Sequence, residues 1–170
     1  MTIAVTDRGP LGLVAASLRK WAALPAAFRW LAPLGIMSAL WWSSSRSPQG
    51  QESNVFGALV HNGMHVLAFG GLAAALRLAL HPSVGRRLPG ASAVAVAIAI
   101  VYGIVDEVHQ GFVPGRTSSI ADVCSDATGA MLAVAWLRPV LENGIMQVRV
   151  LLLLVVACLA SVCLATFGPW

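Results

Sequence analysis

The sequence predicts an all-α fold, a polytopic bundle of about five transmembrane helices, from two observations. Hydrophobic residues make up 58% of the 170 residues and charged residues only 11%, whereas a soluble domain carries roughly 25% charged residues. The apolar residues are also grouped into runs of about 20, the length that a helix needs to cross a bilayer. We therefore expect a membrane protein, with the lipid bilayer as its principal partner.

Five candidate spans follow one another along the chain. Residues 1–20 are expected to form a cytoplasmic tail. Their apolar stretch is too short to cross a bilayer, so it would lie at the membrane interface. The first span carries tryptophans at both ends, as the aromatic belts of a membrane require, and the last carries no charge after Arg149. The spans are expected over about 28–45, 57–80, 88–107, 119–138 and 148–167.

The distribution of basic residues predicts the orientation. With a cytoplasmic N-terminus, the inner ends of the spans hold nine of the 11 basic residues and the outer segments hold two, Arg46 and Arg116. Such an excess on the cytoplasmic side is typical of inner-membrane proteins. The nine are Arg8, Arg19, Lys20, Arg29, Arg77, Arg86, Arg87, Arg138 and Arg149. No nucleic acid partner is expected, since aromatic residues are not interleaved with these charges.

Four of the seven acidic residues lie between positions 106 and 126, at the outer level of this topology. Asp106, Glu107, His109 and Gln110 are expected in the last turn of the third span. Asp106 and His109 are three residues apart and share a helix face, so the carboxylate could orient the imidazole for general acid–base catalysis. The alternative is a solvated helix end. Ionisable residues are costly within a membrane and commonly functional.

The segment after this cluster predicts a fixed turn. Pro114 followed by Gly115 favours a type II turn, in which the glycine supplies a positive φ. Arg116 would then project from a rigid backbone and could clamp a phosphate or a carboxylate through two hydrogen bonds. Alternatively, it pairs internally with one of three carboxylates. These are Asp106, Glu107 and Asp122.

The start of the fourth span carries two acidic residues, for which the sequence predicts different roles. Ser119 and Asp122 have the spacing of a capping box, which is a structural alternative to a functional role for Asp122. Asp126 lies one turn deeper on the same face. A carboxylate at that depth is expected to face the bundle interior and to have a partner, either Arg116 or a histidine.

Two further groups are weaker candidates. His61 and His65 lie on one helix face and could bind a metal ion, but position 62 is Asn and the HExxH pattern fails. We favour a hydrogen-bonding or proton-handling role for them and expect no metal ion. Ser44 lies in a run of three serines that could hold a nucleophile or, more simply, end a helix. The three cysteines form no disulfide framework and no zinc motif, and no cofactor-binding motif is present.

Residues 106–130, DEVHQGFVPGRTSSIADVCSDATGA, resemble the signature of the VanZ-like family of integral membrane proteins. The positions that match are Asp106, Glu107, Gln110, Pro114, Arg116, Asp122 and Gly129, and Ser43 to Ser45 and His65 also fit. The resemblance covers roughly residues 30–138. The chain departs from the pattern at His61–Asn62, commonly an acidic–basic pair, and at Asp126, more usually asparagine.

The resemblance implies a four-helix VanZ-like core over 28–138, an additional C-terminal helix over 148–167, and a place in the bacterial cytoplasmic membrane. It also implies a role in the cell envelope related to resistance to the glycopeptide teicoplanin. Three functions stay open. The first is an enzyme, or enzyme-like protein, that acts on or binds an envelope lipid or glycan group at the outer membrane–water boundary. The second is a proton- or cation-handling transport or binding module, and the third is a non-catalytic envelope partner protein.

The first function assigns the candidate residues to two groups. Asp106 and His109 would form an acid–base pair that Glu107 and Asp122 orient. The substrate-binding candidates are His65, Gln110, Arg116, Asp126 and Ser44.

Overall fold

The structure, a computed structural model, describes residues 1–4, 10–47, 54–81, 90–142 and 144–168. These residues form a helical bundle with one small sheet, so the predicted fold class is confirmed. The helices are α1 (Pro10–Ala22), α2 (Ala26–Ser44), α3 (Val55–Ala79), α4 (Ala91–Gln110), α5 (Ile120–Glu142) and α6 (Val148–Phe167). The strands are β1 (Thr2–Ala4) and β2 (Ile145–Gln147), which pair antiparallel.

Among the described helices, the four from α3 to α6 are long and apolar enough to cross a membrane. The α1–α2 pair, bent at its short break, gives a fifth candidate span if the two helices are counted together. Helix α4 ends at Gln110, so the polar residues predicted for its last turn lie within the helix. Helix α5 differs from the predicted bound, because it includes Pro139 and continues to Glu142.

The segment predicted as a tail is partly structured. Its helix α1 packs on α5, where Ala15, fully buried, joins Val140 and Met146 in a small apolar cluster. Strand β1 pairs residue by residue with β2, so that Ile3 lies opposite Met146. The N-terminal segment is therefore attached to the connection between α5 and α6.

Helix α3 is the centre of the bundle and contacts α2, α4, α5 and α6. Its buried Phe69, Leu72 and Leu76 pack against small residues of α4 and α5. Small side chains allow helices to approach closely in a membrane, where lipid supplies no hydrophobic drive for association. The small partners are Ala95, Ala99 and Ala130.

Helix α6, the fifth predicted span, is attached to the bundle by polar contacts. Asn62 Nδ2 on α3 donates to Thr166 Oγ1 at 3.0 Å, and the hydroxyls of Thr128 on α5 and Ser161 lie 3.1 Å apart. Most of the remaining α6 surface is exposed and apolar, as suits contact with lipid.

The end of the bundle where α3 and α5 finish, called here the basic end, contains an ion pair between a buried arginine and an exposed glutamate. Arg77, 4% exposed, donates from Nη2 to Glu142 Oε1 at 2.9 Å and from Nε to Ser92 Oγ at 3.1 Å. Arg29 is also buried and donates to the carbonyl oxygens of Leu78 and His81. Three arginines predicted for the inner ends, Arg29, Arg77 and Arg138, thus lie at one end, while Arg8, Arg86 and Arg87 fall outside the described residues.

Glu142→Ala is expected to lower the free energy of unfolding by about 1–3 kcal/mol, because it leaves the buried Arg77 guanidinium without its charged partner. Arg138→Ala is the matched control. It removes only the exposed Arg138–Glu142 contact at 3.3 Å, and such pairs contribute roughly 0–1 kcal/mol. Thermal unfolding in detergent micelles measures both. Equal effects of the two substitutions would contradict the role assigned to Arg77.

Candidate functional site

The opposite end of the bundle, called here the site end, is where α2 and α4 finish and α3 and α5 begin. A cavity of about 480 Å³ opens there. The apolar part of its lining consists of Leu40, Met64, Ala68 and Phe69. The polar part consists of Ser43, Ser44, Arg46, Ser47, His61, His65, Asp106, Gln110 and Arg116.

The structure divides the predicted site residues between this cavity and its surroundings. Five of them line the cavity, and Glu107, Asp122 and Asp126 are buried close to His65. His109 faces α2 instead. The five lining residues are Ser44, His65, Asp106, Gln110 and Arg116.

In the last turn of α4, the polar side chains do not form the predicted acid–base pair. Gln110 Nε2 donates to Asp106 Oδ2 at 2.9 Å and approaches Glu107 Oε1 at 3.4 Å. The expected contact between Asp106 and His109 is absent from the described part of the chain. His109 Nε2 instead lies 2.9 Å from Ser45 Oγ.

The ring of His109 stacks on Trp41 of α2, with centroids 3.9 Å apart and planes 18° from parallel. Residues three apart in an α-helix lie on one broad face, but their directions differ by about 60° around the helix axis, which is enough for each to meet a different neighbour. Asp106 faces the bundle and His109 faces α2, which supplies both a hydroxyl and an indole. The catalytic role of His109 stays a prediction.

The loop between α4 and α5 contains the predicted turn. Gly115 has a φ of 81°, and Arg116 N donates to Val113 O at 3.1 Å, as in a type II turn. Arg116 does not pair with any of its three expected carboxylates in the described chain. Its Nη2 donates to Ser43 O at 3.0 Å and its Nε to Arg46 O at 3.1 Å. The guanidinium therefore joins this loop to the end of α2 and keeps its positive charge unneutralised beside the cavity.

The serines at the end of α2 mainly form hydrogen bonds to the last turn of the helix. Ser44 is buried and its hydroxyl donates back to Trp41 O at 3.1 Å, and Ser45 Oγ donates to the same oxygen at 2.7 Å. The next residue, Arg46, lies over the ring of Trp42 with Cζ 3.5 Å from the centroid, which is a cation–π contact. The second arginine predicted for the outer side is thus also fixed close to the cavity.

Of the two partners that the sequence predicted for Asp126, Arg116 or a histidine, the structure shows a histidine. Asp126 is 1% exposed, and its Oδ1 accepts a hydrogen bond of 3.0 Å from Nδ1 of His65. Its other oxygen, Oδ2, lies against Gly103 of α4, where an added Cβ would be 2.7 Å away. Gly103 therefore provides the space for this carboxylate.

The start of α5 is capped by residues from two helices. Ser119 Oγ accepts a hydrogen bond from Asp122 N at 3.3 Å, which is half of the predicted capping box. The reciprocal bond differs, because Ser119 N donates to Glu107 Oε2 at 2.8 Å and not to Asp122. The carboxylate of Asp122 accepts no hydrogen bond from the described residues, so capping does not explain its presence.

The site end therefore holds four buried carboxylates. Asp106, Glu107, Asp122 and Asp126 are 3%, 2%, 8% and 1% exposed. No lysine or arginine of the described chain forms an ion pair with them. One oxygen each of Asp106, Asp122 and Asp126 is buried without a hydrogen-bond partner among the described residues.

The chain matches a known family of proteins. The family model described as VanZ/LLP1 matches residues 15–142, a range that includes α2 to α5 and most of α1. No curated protein and no solved structure gives a significant match. The match covers three quarters of the chain, including all of the buried carboxylates and both cavity arginines, and the chain belongs to the VanZ/LLP1 family of membrane proteins.

Proposed function

We propose that this protein binds the anionic head group of an amphiphilic lipid of the cell envelope in the cavity at the site end. The observation that carries the proposal is the mixed lining of this cavity, which combines the unneutralised guanidinium groups of Arg46 and Arg116 with four apolar side chains. An amphiphile has the same two parts. The proposal also places the site end at the outer face of the bacterial cytoplasmic membrane, on the basis of the positive-inside bias.

The two arginines in the polar part of the lining suit the cavity to a phosphate or a carboxylate. Arg116 is fixed by two backbone carbonyls and Arg46 by an indole. Because these side chains are already ordered, an anion that binds between them costs little further side-chain entropy. Arg116 uses Nε and Nη2 for its anchors, so its Nη1 is left to donate to a ligand.

The apolar part of the lining supports a ligand with a hydrocarbon part. It consists of Leu40, Met64, Ala68 and Phe69, and a volume of about 480 Å³ falls within the range of roughly 300–1,000 Å³ that is usual for small-ligand sites. The space accommodates a head group with the first part of its chain. Asp106 lines the same cavity, and its carboxylate is the one we expect to exchange a proton with the bound group.

Binding to the purified full-length protein tests this proposal. Fluorescent phosphatidylglycerol in zwitterionic micelles is expected to bind saturably at one site, at least tenfold more tightly than the matching phosphatidylcholine. Ala68→Phe fills space at the apolar part of the lining and is expected to weaken that binding by at least tenfold. Ala97→Phe places the same ring on the exposed face of α4 and serves as the control.

Equal affinity for the two lipids, or equal effects of the two phenylalanine variants, contradicts the proposal. In cells, the envelope role inferred from the family predicts that Ala68→Phe changes teicoplanin susceptibility while Ala97→Phe does not. A difference in susceptibility between the two variants would link the lipid site to teicoplanin resistance.

A further inference from the structure

We infer that His65, Glu107 and Asp122 form a binding site for one divalent transition-metal ion, close to the cavity. One ligand atom from each of these residues lies within 4.8 Å of the other two. A tetrahedral ion with ligands at about 2.0–2.2 Å holds its ligand atoms about 3.4 Å apart, so small side-chain rotations complete the coordination. This inference goes beyond lipid binding and stands independently of it.

The buried carboxylates around the cluster favour the binding of a cation. Asp106, Glu107, Asp122 and Asp126 are all at least nine-tenths buried, and desolvation penalises several carboxylates gathered in one place. The nearby Arg116 donates its hydrogen bonds to α2. A divalent ion in the cluster would offset the charge that no described lysine or arginine neutralises.

His65 is held in the manner of a metal ligand. Its Nδ1 donates to Asp126 Oδ1 at 3.0 Å, and this bond fixes the ring orientation and makes Nε2 the nitrogen with the lone pair. Metal-binding histidines usually donate their other ring nitrogen to a carboxylate in this way. Asp126 is therefore a positioning residue that acts through His65.

Glu107 and Asp122 supply the two oxygen ligands of the proposed site. Ser119 N and Gln110 Nε2 orient Glu107 from two directions. The carboxylate of Asp122 accepts no hydrogen bond from the described residues, and its Oδ1 is buried, so this side chain lacks another explanation. The three ligands come from α3, α4 and α5, and an ion among them would join the three helices.

The ligand set selects the ion by its chemistry. One imidazole with two carboxylates is a mixed nitrogen and oxygen set that suits Zn²⁺ or Mn²⁺. No thiolate belongs to the cluster. Cys124, two residues after Asp122, is exposed and offers a built-in control for adventitious binding.

Metal titration of the chelator-treated full-length protein tests the inference, with Zn²⁺ and Mn²⁺ each added alone. We expect about one equivalent of Zn²⁺ per chain, measured by elemental analysis and by competition with a chromophoric chelator. Glu107→Gln and Asp122→Asn are each expected to weaken Zn²⁺ binding by at least 100-fold. Asp126→Asn is expected to weaken it about 10- to 100-fold, the usual effect of losing a residue that orients a ligand.

A second measurement separates metal binding from misfolding. Without metal, Glu107→Gln and Asp122→Asn are expected to unfold at or above the wild-type temperature, because each removes a buried negative charge. Added Zn²⁺ should raise the Tm of the wild type and of Cys124→Ser only. Less than a tenth of an equivalent of either ion on the wild type, or binding that survives both carboxylate variants and disappears in Cys124→Ser, overturns the inference.

Discussion

Gly129→Ala is expected to prevent most of the protein from assembling into a stable bundle. An added Cβ at this position would lie 2.2 Å from Val66 O and 2.8 Å from Val66 Cα. Both are backbone atoms of α3, so no side-chain rotation relieves the overlap, and α3 and α5 must move apart. We expect a loss of about 3 kcal/mol or more, at the upper end of overpacking costs. The yield of monodisperse protein and its thermal midpoint in detergent measure the effect.

Gly71→Ala provides the control for this substitution. It makes the same chemical change on α3, where an added Cβ has no atom within 4 Å. Alanine is the better helix former by roughly 0.5–1 kcal/mol, so this variant should be at least as stable as the wild type. Thermal midpoints that agree between the two variants would show that the close contact of α3 and α5 does not hold the bundle together.

The crossing at Gly129 also determines the geometry of the site. Val66 follows His65 on α3, and Gly129 comes three residues after Asp126 on α5. The same close approach therefore brings His65 Nδ1 within 3.0 Å of Asp126 Oδ1. A small residue within an apolar span thus supports a polar site one turn away.

The features that the sequence predicted well depend on local physics. Runs of apolar residues predicted the helices from α2 to α6, because the length of a span is set by the thickness of the bilayer. The turn at Pro114–Gly115 follows from the positive φ that glycine adopts readily. The histidine partner of Asp126 follows from the cost of a buried carboxylate within a membrane.

The features that the sequence did not predict depend on which residues meet across the fold. Strands β1 and β2 have three residues each, too few to show an alternating pattern, and 143 positions separate Ile3 from its partner Met146. His109 shares a helix with Asp106, but its direction is decided by Ser45 and Trp41 on α2.

The proposed metal cluster was missed for the same reason. The sequence suggested His61 as the companion of His65, because the two are four residues apart on one helix. In the structure their rings meet edge to face, 5.2 Å apart, and His61 is exposed. The oxygen ligands that approach His65 come instead from α4 and α5, and no spacing within one segment reveals them.

Arg116→Ala is expected to reduce the affinity for the anionic lipid by roughly 10- to 150-fold. This range corresponds to about 1.5–3 kcal/mol for one hydrogen bond to a charged group. The substitution also removes the bonds to Ser43 O and Arg46 O, so the loop after α4 loses its attachment to α2. Arg116→Lys should recover only part of the affinity, because an ammonium group lacks the planar fork that reaches two carbonyls and a ligand together.

Salt dependence distinguishes a direct anion contact from a purely structural role of Arg116. Binding of phosphatidylglycerol to the wild type should weaken as the ionic strength rises, because Arg116 is only partly buried and its charge is screened. Arg116→Ala should bind weakly with a shallower salt dependence, while Arg138→Ala at the basic end should follow the wild type. If Arg116→Ala keeps the wild-type salt dependence at lower affinity, the guanidinium only anchors the loop, and the charge that recognises the head group must belong to another residue.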